Sequence, residues 1–178
     1  MHALFCGVTL SGKTTLARAL SRALVSQGHG VAIYDPVGSP TIGGGWGETP
    51  YKFHDEVEFL DFMNDDRVRD VHVFVDEADM LFNHARRENF WMLSRGRHFG
   101  LSMNLITTRP KLLHPSPRSQ CTRLYMFVLS KDEAREIGRE KGLNNLDAYE
   151  LDKGDFLIAN SASPVVQKAN IFHLLERK

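Results

Sequence analysis

The sequence predicts an α/β fold: a mostly parallel central sheet flanked by helices and closed by a C-terminal β-hairpin. Three observations lead there. Apolar runs of strand length at Ala3–Cys6, Val31–Tyr34, Val71–Val75, Leu101–Ile106 and Leu124–Leu129 alternate with stretches of helical periodicity, the order of parallel strands joined by crossover helices. Val71–Val75 is almost wholly apolar, as a strand covered on both faces must be. Two last runs, Asp155–Asn160 and Val165–Leu174, are separated only by Ser161-Ala-Ser-Pro164 and read as the hairpin.

Between the first strand and the first helix lie Gly7, Val8, Thr9, Leu10, Ser11, Gly12, Lys13 and Thr14, followed by Thr15. They match G-x-x-x-x-G-K-[ST], a phosphate-binding loop. The context suits the chemistry. The glycines let the backbone curl so that successive N–H groups face phosphate oxygens, and the helix adds its free N–H groups and positive end. Leu16, Ala19, Leu20, Ala23 and Leu24 give that helix an apolar face. Lys13 is expected to reach the β- and γ-phosphates of ATP, and the Thr14 hydroxyl to ligate Mg²⁺.

Gly28-His-Gly30 stops the first helix, and the second strand ends at Asp35-Pro36, a carboxylate at the strand end where α/β sheets bind ligands. Val37 to Thr49 reads as a glycine-rich loop beside the site. Its Trp46 has two readings, a ring that stacks on a base or an anchor that pins the loop. His54–Met63 has helical spacing.

The Val71–Val75 strand runs into Asp76-Glu-Ala-Asp79. A carboxylate at the tip of a strand near a phosphate loop can hold Mg²⁺, the role expected of Asp76. The next carboxylate, Glu77, can orient and deprotonate an attacking water. Asp79 reads as the N-cap of a following helix over Met80–Leu93. The four letters also spell a helicase tetrad, but such helicases clamp nucleic acid between two domains and this chain has length for one. Leu101–Ile106 ends in Thr107-Thr-Arg-Pro110, whose hydroxyls, Thr108 included, are placed to touch a γ-phosphate or the water. Pro115 and Pro117 mark an irregular connection, and Lys131–Lys141 reads as a charged helix closed by Gly142.

With 178 residues, 42% hydrophobic and 25% charged, the chain is expected to form one domain over residues 1–178. The loop starts at residue 7, so no signal peptide is expected, and no apolar run nears the ~18 residues of a membrane span. Cys6 and Cys121 fit no metal spacing, and a reducing, intracellular setting is the default. Net charge is zero but uneven. Glu48 to Asp79 carries eleven acids against three bases, and Asn83 to Arg123 eight bases against one acid. The basic segment suits a polyanion or a neighbouring subunit's nucleotide, and equally a solvated face neutralised in space.

From Ala3 to about Leu129 the sequence resembles the FtsK/HerA superfamily of DNA-pumping ATPases. The most specific part is Arg97-His-Phe-Gly-Leu-Ser-Met-Asn-Leu-Ile-Thr-Thr-Arg-Pro110. That family has an Arg, a Gly three residues later, and a strand closing in Thr-Gln-Arg-Pro. Asp35-Pro36 is similar to the family's second strand. The resemblance implies a recombinase-like (RecA-like) P-loop NTPase core, working as a ring, usually a hexamer, with ATP between subunits. It implies that Arg97 acts in trans on a neighbour's γ-phosphate, with Arg95 as the alternative. Thr108 stands where the family has Gln and is shorter. A bare core is most similar to the genome-packaging ATPases of tailless, internal-membrane double-stranded DNA viruses. That implies double-stranded DNA held through its phosphates, capsid vertex proteins as partners, and a place in the host cytoplasm or at the virion's packaging vertex. The alternatives are a phage assembly or export ATPase of the Zot type, and a small-molecule (nucleoside or nucleotide) P-loop kinase, which would leave Arg97–Pro110 unexplained.

Overall fold

A computed structural model of the chain describes residues 1–38, 45–143, 147–161 and 163–175. The apolar run ahead of the glycine loop forms β1 (His2–Cys6), and α1 (Lys13–Ser26) follows at once. Then come β2 (Gly30–Tyr34), a short β3 (Tyr51–Phe53), α2 (Glu56–Met63) and β4 (Val71–Val75). The second half contains α3 (Trp91–Ser94), β5 (Ser102–Thr107), α4 (Pro115–Gln120), β6 (Cys121–Met126), α5 (Lys131–Lys141), β7 (Asp155–Asn160), β8 (Ser163–Asn170) and α6 (Ile171–Leu175).

The strands make one eight-stranded sheet in the order β3-β2-β4-β5-β1-β6-β7-β8. Six strands run parallel, and the β7–β8 hairpin adds antiparallel pairs at one edge. The expected α/β class and the closing hairpin are both present. Side chains alternate across the sheet as the period of two requires. Ala3 and Phe5 pack with Leu16 and Ala17 of α1 on one face, while Leu4 and Cys6 join α2, α3 and α5 on the other. Both cysteines are free and buried. No described helix is long and apolar enough to cross a membrane.

Four local readings change. The helix expected over Met80–Leu93 is broken into 3-10 turns and the single turn of α3. Polar side chains compete with the helical backbone there: Asn83 Nδ2 donates to the carbonyls of Asp79 and Met80, and Asn89 Nδ2 to that of Leu81. The expected irregular stretch at Pro115 is instead a short helix, entered through proline and capped where His114 Nδ1 accepts the Ser116 N–H. The strand expected over Leu124–Leu129 begins at Cys121 and ends at Met126. The last strand stops at Asn170, because the Asn170 Oδ1 accepts the N–H groups of Phe172 and His173 and starts α6. The middle of the Val37–Thr49 loop (39–44) and Ala162 of the hairpin turn lie outside the described residues.

Three bases of the basic segment pair with acids from other parts of the chain. Arg86 pairs with Glu56 (3.1 Å), and Lys111 with Glu136 (3.5 Å). Arg118 is buried, donating to Glu140 (2.6 Å), Glu136 (3.0 Å) and the Pro110 carbonyl (3.0 Å), so it ties α4 to α5. Removing one partner of a buried pair leaves the other charge poorly compensated. Arg118→Ala is therefore expected to lower the unfolding free energy by roughly 3 kcal/mol in urea titration; a loss below about 1 kcal/mol, the worth of an exposed pair, would contradict this.

Candidate active site

Parallel pairing puts the carboxyl ends of β1, β5 and β4 side by side at one edge of the sheet. The chain leaves β1 into Gly7–Gly12, β4 into Asp76 and Glu77, and β5 through Thr107 into Thr108. These exits line a cavity of about 520 Å³.

The loop from Gly7 to Gly12 is a tight cradle. Gly7 has φ +151°, and a Cβ there would lie 2.6 Å from Phe127 Cβ, so only glycine fits. The Val8 N–H donates to the Val128 carbonyl (2.8 Å), anchoring the loop to the strand end beside it. Lys13 is 6% exposed and its Nζ donates to the Val8 carbonyl (2.9 Å) across the loop. Burial pulls its ammonium below the usual pKa, opposed first by the carboxylate of Asp76 and then by that of Glu77. Ser11 Oγ is buried and, among the described residues, has no hydrogen-bond partner. An oxyanion in the cradle would satisfy that hydroxyl, as buried polar groups require.

Opposite the cradle, Thr14 Oγ1 donates to Asp76 Oδ2 at 3.3 Å. Burial pushes the Asp76 carboxyl up to about 6, with the charges of Asp35 and Glu77 adding and the Glu77 N–H and Thr14 hydroxyl opposing. Two hard oxygens this close suit Mg²⁺. Among the described residues no set of three His, Cys, Asp or Glu side chains converges as a metal cage, so such an ion would complete its shell from water and phosphate.

Glu77 has φ 47° and ψ 47°, a left-handed conformation that costs a non-glycine residue about 1 kcal/mol. Two bonds hold it: its N–H donates to Asp76 Oδ1 (3.1 Å), and its carbonyl accepts the Met80 N–H (2.9 Å). Burial raises its carboxyl pKa, Asp79 and Asp35 add to the rise, and Lys13 opposes it. Asp79 is not a helix cap. Its Oδ1 accepts the Thr107 hydroxyl (2.7 Å), which in turn accepts the Arg109 N–H (3.1 Å), bracing the tips of β4 and β5.

Two further expectations concern Trp46 and the arginines. Trp46 is an anchor: Nε1 donates to Asp35 Oδ2 (2.9 Å), the Arg18 guanidinium lies 5.3 Å over its ring, and Phe74 packs 5.9 Å away. Arg95 and Arg97 are exposed around a 3-10 turn before β5, at the opposite end of the sheet from the cavity. Arg97 lies close enough to β1's first residue that its charge adds, after burial and the N-terminal ammonium, to the lowering of the His2 pKa. One strand length, roughly 15 Å, separates it from its own cradle.

Arg18, Lys153, Gly154, Ile171 and Phe172 also line the cavity and were not anticipated. Phe172 reads from sequence as part of the strand over Val165–Leu174; Asn170, a strong N-cap type, was the available signal that the chain turns there.

The chain has the fold of a P-loop NTPase. Among solved structures it is similar to the DNA-packaging ATPase B204 of Sulfolobus turreted icosahedral virus, at 19% identity and TM-score 0.76 over 95% of this chain and 96% of that one. The genome packaging NTPase B204 of Sulfolobus turreted icosahedral virus 2, in complex with AMPPCP, matches at 19% identity and TM-score 0.76 over 96% of each chain. The N-terminal domain of zonular occludens toxin from Neisseria meningitidis matches at 15% identity and TM-score 0.55 over 95% and 93%. No protein-family model matches the sequence, and no curated protein matches it.

The electrostatics yield a pH test on the nucleotide-free chain. The Asp76 pKa is raised on folding, so its favourable contribution is complete below about pH 4 and is lost as pH rises through 6. Asp76→Asn is therefore expected to stabilise the chain by roughly 2 to 3 kcal/mol at pH 7.5 and only about 1 kcal/mol at pH 4.5. Equal gains at both pH values in urea titrations would refute the burial account.

Proposed function

We propose that this protein is an Mg²⁺-dependent ATPase whose turnover drives double-stranded DNA into a preformed viral capsid. The observation that carries the reading is the convergence of Lys13, Thr14, Asp76 and Glu77 on one cavity beneath a glycine cradle. The end-to-end match to viral packaging ATPases supports the choice among motors.

In this reading the N–H groups of Gly7 to Thr15 bind the phosphates, and Lys13 gives up its bond to Val8 to face the β- and γ-oxygens. Thr14 and Asp76 would hold Mg²⁺, which when bound would supply charge neutralisation at the phosphates. Glu77 orients a water and takes its proton as the water attacks the γ-phosphorus, releasing ADP and phosphate. Thr108 contacts the γ-phosphate end of the cavity. Arg97, or failing it Arg95, supplies a guanidinium to the neighbouring subunit's site, since it lies too far from its own. The assembly is then a homo-oligomeric ring, a hexamer in our proposal. It docks at capsid vertex proteins, grips duplex phosphates without reading bases, and works in the host cytoplasm or at the virion's packaging vertex.

The similarity to the zonular occludens toxin domain favours a second reading, a phage assembly or export ATPase of the Zot type. A small-molecule kinase is the third. One assay separates them: phosphate release should rise severalfold with duplex DNA and fall back as salt is raised. No response to DNA favours the Zot-type reading, and phosphate transferred to a nucleoside identifies a kinase. Glu77→Gln is expected to keep ATP binding and lose at least a hundredfold in turnover, and full turnover would remove Glu77 as the base. Arg97→Ala subunits mixed with wild type should depress activity more than their share of the mixture. Strictly proportional loss would reject action in trans.

A further inference from the structure

One wall of the cavity comes from the turn before β7 and from α6: Lys153, Gly154, Ile171 and Phe172. Its most prominent member is Phe172, a large aromatic that is 51% exposed at the cavity rim. An exposed phenylalanine is ordinarily loose, but this one is held from several sides. Its N–H donates to Asn170 Oδ1 (2.9 Å), and Asn170 Nδ2 donates to Asp155 Oδ1 (2.7 Å). Asp155 Oδ2 pairs with Lys168 (2.6 Å), and the Ile171 N–H donates to the Gly154 carbonyl (2.9 Å).

Gly154 has φ +89°, and a Cβ there would collide with the Phe172 ring. The ring therefore rests directly on backbone. The preceding residue, Ile171, is 2% exposed and packs over Gly12 of the cradle, which fixes α6 to the loop. Trp46, the aromatic that the sequence offered for stacking, is committed to Asp35, Arg18 and Phe74. Among the described residues, Phe172 is the aromatic that lines the cavity.

We propose that Phe172 is the stacking platform for the nucleobase, and that the site prefers purine over pyrimidine nucleotides by ring area. This rests on the nucleotide reading above. Phosphates held in the cradle leave the base to run along the first turn of α1, past Thr15, to the C-terminal wall. A π-face held on backbone accepts any base, and a bicyclic purine covers more of it. Base edges need no dedicated partner in this arrangement, so ATP and GTP should bind alike.

The test is calorimetric titration of the full chain with Mg²⁺ and ATP, GTP, CTP or inorganic tripolyphosphate. The wild type is expected to bind ATP and GTP within about threefold of each other, and CTP roughly tenfold more weakly. Phe172→Leu keeps apolar bulk without a π-face. It should lose about tenfold for ATP and GTP, leave tripolyphosphate affinity unchanged, and melt as the wild type does. Phe172→Trp should retain purine preference. Wild-type ATP affinity with purine preference intact in Phe172→Leu would overturn the platform, and so would preference for CTP. Lys13→Ala is the control and should lose tripolyphosphate as well. If the wild type binds none of the four, the nucleotide reading itself falls; if it binds all four and Phe172→Leu changes none, only the platform falls.

Discussion

Parallel hydrogen bonding among β4, β5 and β1 is the constraint from which the site follows. Parallel strands deliver all their carboxyl ends to one edge, so the turns that leave them must crowd together. The glycine cradle, the Asp76-Glu77 pair and the Thr107-Thr108 hydroxyls are distant in sequence and share a cavity for that reason. β5 lies between the other two strands, and its Thr107 hydroxyl bonds to Asp79. The two tips beside the cradle are thus braced laterally as well as through the ladder.

The same crowding sets the electrostatics. Asp35 and Asp76, both buried, end neighbouring strands, and the half-buried Glu77 adds a third acid. Burial first, and then the charges of neighbouring acids, push Asp76 and Glu77 upward, while burial pushes the Lys13 ammonium down. Each group is uncomfortable in the nucleotide-free state. A divalent cation beside the carboxylates and a polyanion beside the lysine would relieve all of them at once.

Much of this was legible in the sequence because it is local. A strand, a loop and a helix adjacent in the chain are announced by period and by glycine placement, and Lys13, Thr14, Asp76 and Glu77 sit at element ends that periodicity locates. What was not legible depends on contacts between distant segments. The helix expected after Asp79 gives way because Asn83 and Asn89 find backbone partners that only the folded turn supplies. Trp46 could be read as a stacker or an anchor until Asp35, eleven residues away, was seen to accept its indole N–H. The C-terminal wall went unseen because nothing in residues 151–175 refers to the cradle; only strand order brings them together.

That wall has a consequence for the order in which the protein matures. Ile171 closes over Gly12, so segments more than 150 residues apart in the chain form one enclosure. β1 to β6 and their connections supply the glycine cradle and its acids but not the C-terminal wall of the enclosure. The cavity is therefore complete only once α6 has been made and has packed against the cradle.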